Sequence, residues 1–363
     1  MGKKIKSIIW GVGGTTIDFL QKKIMYHDFE IVCFTDNNSN LWGKTFHNNL
    51  PIVSPDELCK IDYDIVIICS LYFKEIKEQL INDLEVPEDK IITFKDIEKK
   101  ICEQLIEKYK DNEEEDIVNV LKEYKTGDLH ILGSYHPPIT KFSEVFRDEN
   151  GFPYIMFLGK KMFFPKNHKF NKRNGKEIVE DILYEQGSES PHRYIPDNFC
   201  MPDNSIIVDA GVCEGNFSLR YIEKAKKIYL IEVDELWMEA LKKTFAPYRD
   251  KVVFCNKFLS GRDNGSEITL DTLVKENIDF IKMDIEGAEV DALLGGKEIL
   301  SKSKAQCAIC SYHRQYDEKY IAHILRSYGY ITAHSKGYMF FPYDDNMIDT
   351  IDLRRGVVYG VKR

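Results

Sequence analysis

The stretch "IIVDAGVCEGNFSLRYIEKAKKIYLIEVD" (residues 206–234) decides the fold. It begins as an apolar strand, turns through Gly211 and Gly215, continues with helical spacing and returns to an apolar strand that stops at Glu232. Strand, helix and strand in that order form a βαβ unit, whose two strands run parallel in one sheet. A glycine turn after the first strand leaves no Cβ between the backbone and a ligand. An acid after the second can accept hydrogen bonds from both hydroxyls of a ribose, and such charge-assisted bonds are roughly twice as strong as neutral ones. Open α/β sheets bind ligands at this edge, outside the carboxyl ends of the strands.

The same alternation extends downstream. Strand candidates "SIIVDAG", "KIYLIEVD", "KVVFCNKF", "DFIKMDIEG" and "AQCAICSYH" are mostly followed by helices, and "GYITAHS", "GYMFFP" and "RGVVYGVK" close the chain with an antiparallel pair. Five parallel strands and a C-terminal antiparallel hairpin are the pattern of a class I methyltransferase sheet, an α/β Rossmann-like fold. The turn separates the two ligands that would use a ribose acid. Val212 stands where the middle glycine of GxGxxG lets the backbone approach a pyrophosphate. Asp209 and Glu214 add carboxylates that repel phosphate and suit the ammonium group of S-adenosylmethionine.

Upstream, "KSIIWGV", "TTIDFLQKKIM", "EIVCFTD", "YDIVIICS", "FKEIKEQLINDL" and "KIITF" repeat the βα rhythm and predict a smaller Rossmann-like domain over residues 1–96. Its turn has Gly11, Gly13 and Gly14 but Thr16 at the last glycine position of GxGxxG, with Asp36 at the distance of a ribose acid. The run "TDNNSNLWGKTFHNNLPIVSPDEL" resembles nucleotide- or CoA-binding-like domains of sugar-modifying enzymes. A domain that kept its turn without a ligand fits equally. Residues 97–178 read as a connector: a charged helical arm, then an antiparallel flap in which the Asn-Gly of "RDENGF" favours a hairpin. The second domain is expected over residues 179–363.

With 363 residues, 43% of them hydrophobic, the chain has material for two cores. A net charge of -9 with short, scattered basic runs argues against a nucleic-acid partner. No apolar run reaches the length of a membrane span, and "MGKKIKSIIWGVGG" meets glycines before an apolar signal segment develops. Nine cysteines, mostly inside apolar runs, suit reduced thiols and a cytoplasmic setting. A homo-oligomer is compatible with all of this.

The blocks "FLSGRDNGSEITLDTL", "IDFIKMDIEGAEVDALLGGKEIL" and "ILRSYGY", with the opening stretch, resemble the FkbM-type methyltransferases, S-adenosylmethionine-dependent O-methyltransferases, over about residues 180–363. "SYH" replaces the Glu-x-His that many members carry at that place. The resemblance implies that Asp209, Gly211, Glu214 and Gly215 hold the cofactor at the first turn, that Glu232 takes the ribose, and that Asn256 and Lys257 meet the adenine. It places Asp284 at the edge of the methyl-transfer site and lets Gln186, Ser190 and His192 close over the cofactor.

His313 follows the fifth strand on the same edge as Asp284, and the pair is expected to be catalytic, the imidazole acting as general base toward an acceptor hydroxyl. Asp284 and His313 could instead hold a divalent cation, but no third ligand is evident, so no metal is expected and activity should survive EDTA. Glu289 reads as an acid favoured by the start of a helix. The expected reaction is methylation of a hydroxyl on a small-molecule or glycan acceptor, a sugar or glycan precursor. The rival is an NAD(P)-dependent sugar-nucleotide oxidoreductase working from the N-terminal turn.

Overall fold

A computed structural model describes residues 3–136 and 141–362; residues 137–140 of the expected flap lie outside the described residues. The chain divides into two compact units, residues 1–134 with 340–353, and residues 135–339 with 354–363.

The first unit carries β1 (Ile5–Trp10), β2 (Phe29–Thr35), β3 (Thr45–Phe46), β4 (Leu50–Val53), β5 (Ile65–Ile68) and β6 (Ile91–Thr93), in the sheet order β3-β4-β2-β1-β5-β6. β1 pairs in parallel with β2 and β5, so the chain leaves the central strand in both directions. Ile8, Trp10, Val66, Ile68 and Leu80 form its core. The helical stretch read as a connecting arm belongs to this unit. Its first helix (Phe94–Tyr109) begins on a Thr93–Asp96 capping box and buries Ile97, Ile101, Cys102 and Leu105. An apolar stripe at that spacing must be covered, which is why the unit continues past residue 96. A second correction concerns "GYMFFP": it forms no strand, only a bridge between Met339 and Arg354, and residues 340–353 join the first unit.

The second unit begins with a flap of β7 (Phe142–Glu144), β8 (Phe146–Arg147), β9 (Pro153–Phe157), β10 (Lys160–Phe163), β11 (Asn171–Arg173) and β12 (Lys176–Glu180). They make two antiparallel sheets, β10-β9-β8 and β11-β12-β7. The "RDENGF" turn joins β8 to β9; Asp148 Oδ1 accepts the N–H groups of Asn150 and Phe152 at 3.0 and 2.8 Å, and Gly151 takes φ +79°.

The main sheet contains β13 (Ser205–Ala210), β14 (Ala225–Ile231), β15 (Val252–Cys255), and, after the short pair β16 (Phe258–Leu259) and β17 (Glu267–Ile268), β18 (Phe280–Met283), β19 (Gln306–Cys310), β20 (Ile331–His334) and β21 (Val357–Val361). Its order is β15-β14-β13-β18-β19-β21-β20, with only β21 antiparallel to its neighbours. This is the class I methyltransferase arrangement. All six residues of β13 are buried, as a central parallel strand covered on both faces requires. The sheet order reverses at β13, so the loops after β13 and β18 open a crevice at the carboxyl edge.

Candidate active site

Two loops at that edge lie in contact. Gly211 continues β13 with φ +74°, and a Cβ added there would lie 1.7 Å from the carbonyl oxygen of Asp284, so only glycine lets the two loops pass. Gly215 has φ +83° and caps the helix Asn216–Tyr221; its missing Cβ leaves room for Leu241. Between these glycines Cys213 takes φ +49°, and Glu286 in the facing loop takes φ +57°. Left-handed backbone at two residues with side chains is uncommon and tends to gather at functional sites.

Glu232 braces the turn. Its carboxylate accepts the N–H groups of Cys213 and Asp234, each at 2.9 Å, which leaves further lone pairs for a ligand. Asn256 donates its amide to the carbonyl oxygens of Glu232 and Val233 at 2.8 and 3.1 Å, so it fixes the loop after β14. Lys257 is half-buried beside it. The first unit repeats the brace: Asp36 accepts the N–H of Val12 at 3.1 Å and that of Asn38 at 2.9 Å, beside a cavity of about 350 Å³ lined by Gly11, Asn37, Tyr72 and Gln79.

Beside the second unit's turn lies a cleft of about 400 Å³, lined among others by Glu185, Gln186, His192, Tyr194, Glu214 and Asp284. Burial raises the pKa of Glu214. Gln186 donates to the carbonyl of His192 at 3.0 Å and accepts the N–H of Tyr194 at 2.9 Å, holding this segment as one wall. Ser190 is buried and its hydroxyl accepts the N–H of His192, so it shapes the wall from behind. Asp209 does not reach the cleft. It is fully buried, accepts from Ser218 at 2.7 Å and pairs with Lys282 Nζ at 3.3 Å, which corrects its expected place at the cofactor. Lys282 also donates to the carbonyls of Ala210 and Gly211. Burial opposes its charge, but Asp209 and Asp284 outweigh burial and hold its pKa above the ordinary value.

Asp284 is the centre of the cluster. It accepts from the hydroxyls of Tyr194 at 2.8 Å and Tyr312 at 3.1 Å, and faces His192 Nε2 at 3.3 Å and His313 Nε2 at 3.4 Å. Burial would raise its pKa, but His192, Lys282 and His313 hold it well below the usual carboxylate range. His192 Nδ1 meets Glu185 at 2.8 Å. Burial opposes its protonation, yet the carboxylates of Asp284 and Glu185 push its pKa up to about 9.

His313 lies behind Asp284 rather than on the cleft wall. Its side chain is 2% exposed, its Nδ1 sits 3.0 Å from Glu289 Oε1, and its Nε2 is 3.7 Å from the exposed Glu286. Burial works against its protonation, while Glu289, Asp284 and Glu286 raise its pKa. Glu289 is no ordinary acid at a helix start: it is fully buried and turned onto His313. It supplies the third potential metal ligand that sequence spacing did not show.

Sequence reasoning also missed Tyr194, Tyr312, Glu185 and Lys282. Lys282 had a usable signal, a lone cation inside the apolar run "FIKM", because lysine is almost never buried unpaired. The others carry no local signature, since they meet only where the segment before β13 packs against the loops after β18 and β19.

Residues 209–338 match the methyltransferase FkbM domain, so the second unit carries a methyltransferase domain of that type. Residues 3–92 match the family described as C2185-like, N-terminal. Among solved structures, methyltransferase FkbM from Methylobacillus flagellatus KT is similar at 18% identity and a TM-score of 0.49, covering 99% of this chain and 90% of that one. Fibrillarin from Aeropyrum pernix, solved with natively bound S-adenosyl-L-methionine, is similar at 12% identity and a TM-score of 0.31 over 61% of this chain and 99% of its own. No curated protein matches the chain. No helix among the described residues is long and apolar enough to cross a membrane.

Proposed function

We infer that the chain transfers a methyl group from S-adenosylmethionine to a hydroxyl of a sugar or glycan precursor. The observation that carries this reading is the Gly211–Gly215 turn, braced onto Glu232 and opening on a cleft that Asp284 also lines. Glu232 would bind the ribose with its remaining lone pairs, and Glu214 the methionine ammonium. Carboxylate and amide groups from Glu185, Gln186 and Asp284 give the cleft acceptors and donors for a polyhydroxyl substrate.

The sulfonium is already activated, so the protein has two tasks, to hold the acceptor oxygen in line with the methyl and to receive its proton. Positioning can supply about 7–11 kcal/mol of such a barrier, against roughly 3–5 kcal/mol for a general base with a 10²- to 10⁴-fold effect. Asp284 faces the cleft and would orient the hydroxyl. His313, one layer deeper, acts through Asp284 in this reading rather than on the acceptor itself.

Titration calorimetry with S-adenosylmethionine and with NAD(P) tests this. The parent should bind the former, and Glu232→Ala should lose affinity by about 1.5–3 kcal/mol per charge-assisted bond removed. Equal affinity in parent and variant would refute the assignment. Binding of NAD(P) alone would favour the oxidoreductase reading, to which the Asp36 cavity of the first unit lends its only support.

A further inference from the structure

We propose that Asp284, Glu289 and His313 form a divalent-cation site at the inner end of the cleft. The three come from the loop after β18, the first turn of the helix Glu289–Leu294 and the loop after β19. One ligand atom from each lies within 4.8 Å of the other two. Ligand atoms around a six-coordinate ion with bonds of about 2.1 Å lie roughly 3 Å apart when adjacent and 4.2 Å when opposite. Small side-chain rotations therefore bring the three onto one ion.

Three further features distinguish this cluster from an ordinary group of acids. Glu289 is fully buried, and its Oε2 has no hydrogen-bond partner among the described residues. Its Oε1 accepts the N–H of Ile285 at 2.8 Å, which holds the carboxylate toward the cluster. A buried carboxylate oxygen without a donor is costly, and a cation removes that cost. The second feature is the imidazole, which has a carboxylate at each ring nitrogen: Glu289 at 3.0 Å from Nδ1 and Asp284 at 3.4 Å from Nε2. The imidazole is thus held between the two carboxylates that would share the ion with it. The third is access. Asp284 lines the cleft and the exposed carboxylate of Glu286 stands 3.7 Å from Nε2, so the cluster adjoins solvent, and three protein ligands leave positions open on a six-coordinate ion.

Two carboxylates and one imidazole select the ion. Carboxylates suit magnesium, calcium and manganese while imidazole suits first-row transition ions, so the mixed set points to a first-row divalent ion, for which Mn²⁺ is the paramagnetic probe. The role of the ion rests on the methyl-transfer reading, although the site itself does not. An acceptor oxygen bound at an open position would have its pKa lowered by the ion, which would ease the loss of its proton to solvent. That oxygen then bonds to the methyl carbon as the carbon–sulfur bond breaks, its electron pair staying on sulfur.

The test uses the full chain, stripped with EDTA and titrated with manganese chloride by calorimetry and electron paramagnetic resonance. S-adenosylmethionine is titrated separately in EDTA. One Mn²⁺ should bind per chain, and Asp284→Asn, Glu289→Gln and His313→Ala should each weaken it by about 10-fold or more. Glu289→Gln keeps the shape of the side chain, and near-UV circular dichroism in EDTA shows whether each variant is folded. No binding to the stripped parent, or undiminished binding to a folded Glu289→Gln, overturns the site. If S-adenosylmethionine binds and manganese does not, the metal site falls and the methyltransferase reading stands. Manganese binding without S-adenosylmethionine binding supports the site and removes the role given to it.

Discussion

Replacing Gly211 by alanine should damage the protein more than any other single methyl group added to the turn. The new Cβ would stand 1.7 Å from the carbonyl oxygen of Asp284 and 2.8 Å from its carbonyl carbon. Both atoms belong to the backbone, so no rotamer change relieves the contact, and the loops after β13 and β18 must separate by more than an ångström. They are tied down on both sides, Gly211 N–H to the carbonyl of Ile231 at 2.9 Å and Asp284 N–H to that of Ala210 at 3.0 Å. The left-handed backbone adds about 1–2 kcal/mol for alanine, and forced overpacking typically adds about 1–3 kcal/mol. A loss of roughly 2–5 kcal/mol is expected from these two sources. Gly215→Ala is the control. Its Cβ would meet Leu241 Cδ2 at 2.8 Å and the Phe245 ring at 3.1 Å, both side chains that can move, so its loss should be smaller. Urea midpoints by circular dichroism rank the two variants without assuming two-state unfolding in a chain of two units. Calorimetry then reads cofactor affinity, which should fall for Gly211→Ala even where the fold survives. A Gly211→Ala protein with the parent's midpoint and affinity would refute the reasoning.

Lys282→Met should lower the urea midpoint strongly, because it leaves Asp209 buried without its cation, a change that costs about 3–5 kcal/mol when one partner of a buried pair is removed. Asp209→Asn together with Lys282→Met should recover part of that loss; additive effects in the double-mutant cycle would show that the pair is not coupled. Asp36→Ala removes the brace on the first unit's turn and should leave S-adenosylmethionine affinity unchanged; a large loss would mean that the methyl donor depends on the first unit.

The sequence by itself determined the sheet of the second unit, because that sheet is written in local signals. Apolar runs of strand length separated by helical spacing specify parallel βα units, and "DAGVCEG" offers Gly211 and Gly215 where its turn takes positive φ. The position of Glu232 was equally legible, since it directly follows the strand after that turn. The order of the strands, by contrast, brings β18 and β19 beside β13, and that juxtaposition exists only in the folded chain. It places Asp284 against His192 from the segment before β13 and His313 from the loop after β19, and it turns Glu289 inward. Asp209 shows the same limit in reverse. Its position beside the glycine turn suggested a ligand contact, but Lys282 from the neighbouring strand occupies its carboxylate. Residues 340–353 begin inside "GYMFFP" yet belong to the first unit, and no local pattern of apolar residues can announce which of two cores will bury them. Local spacing fixes which elements form. The partners of a buried charge are chosen by packing between elements far apart in the chain, and so only the tertiary structure names them.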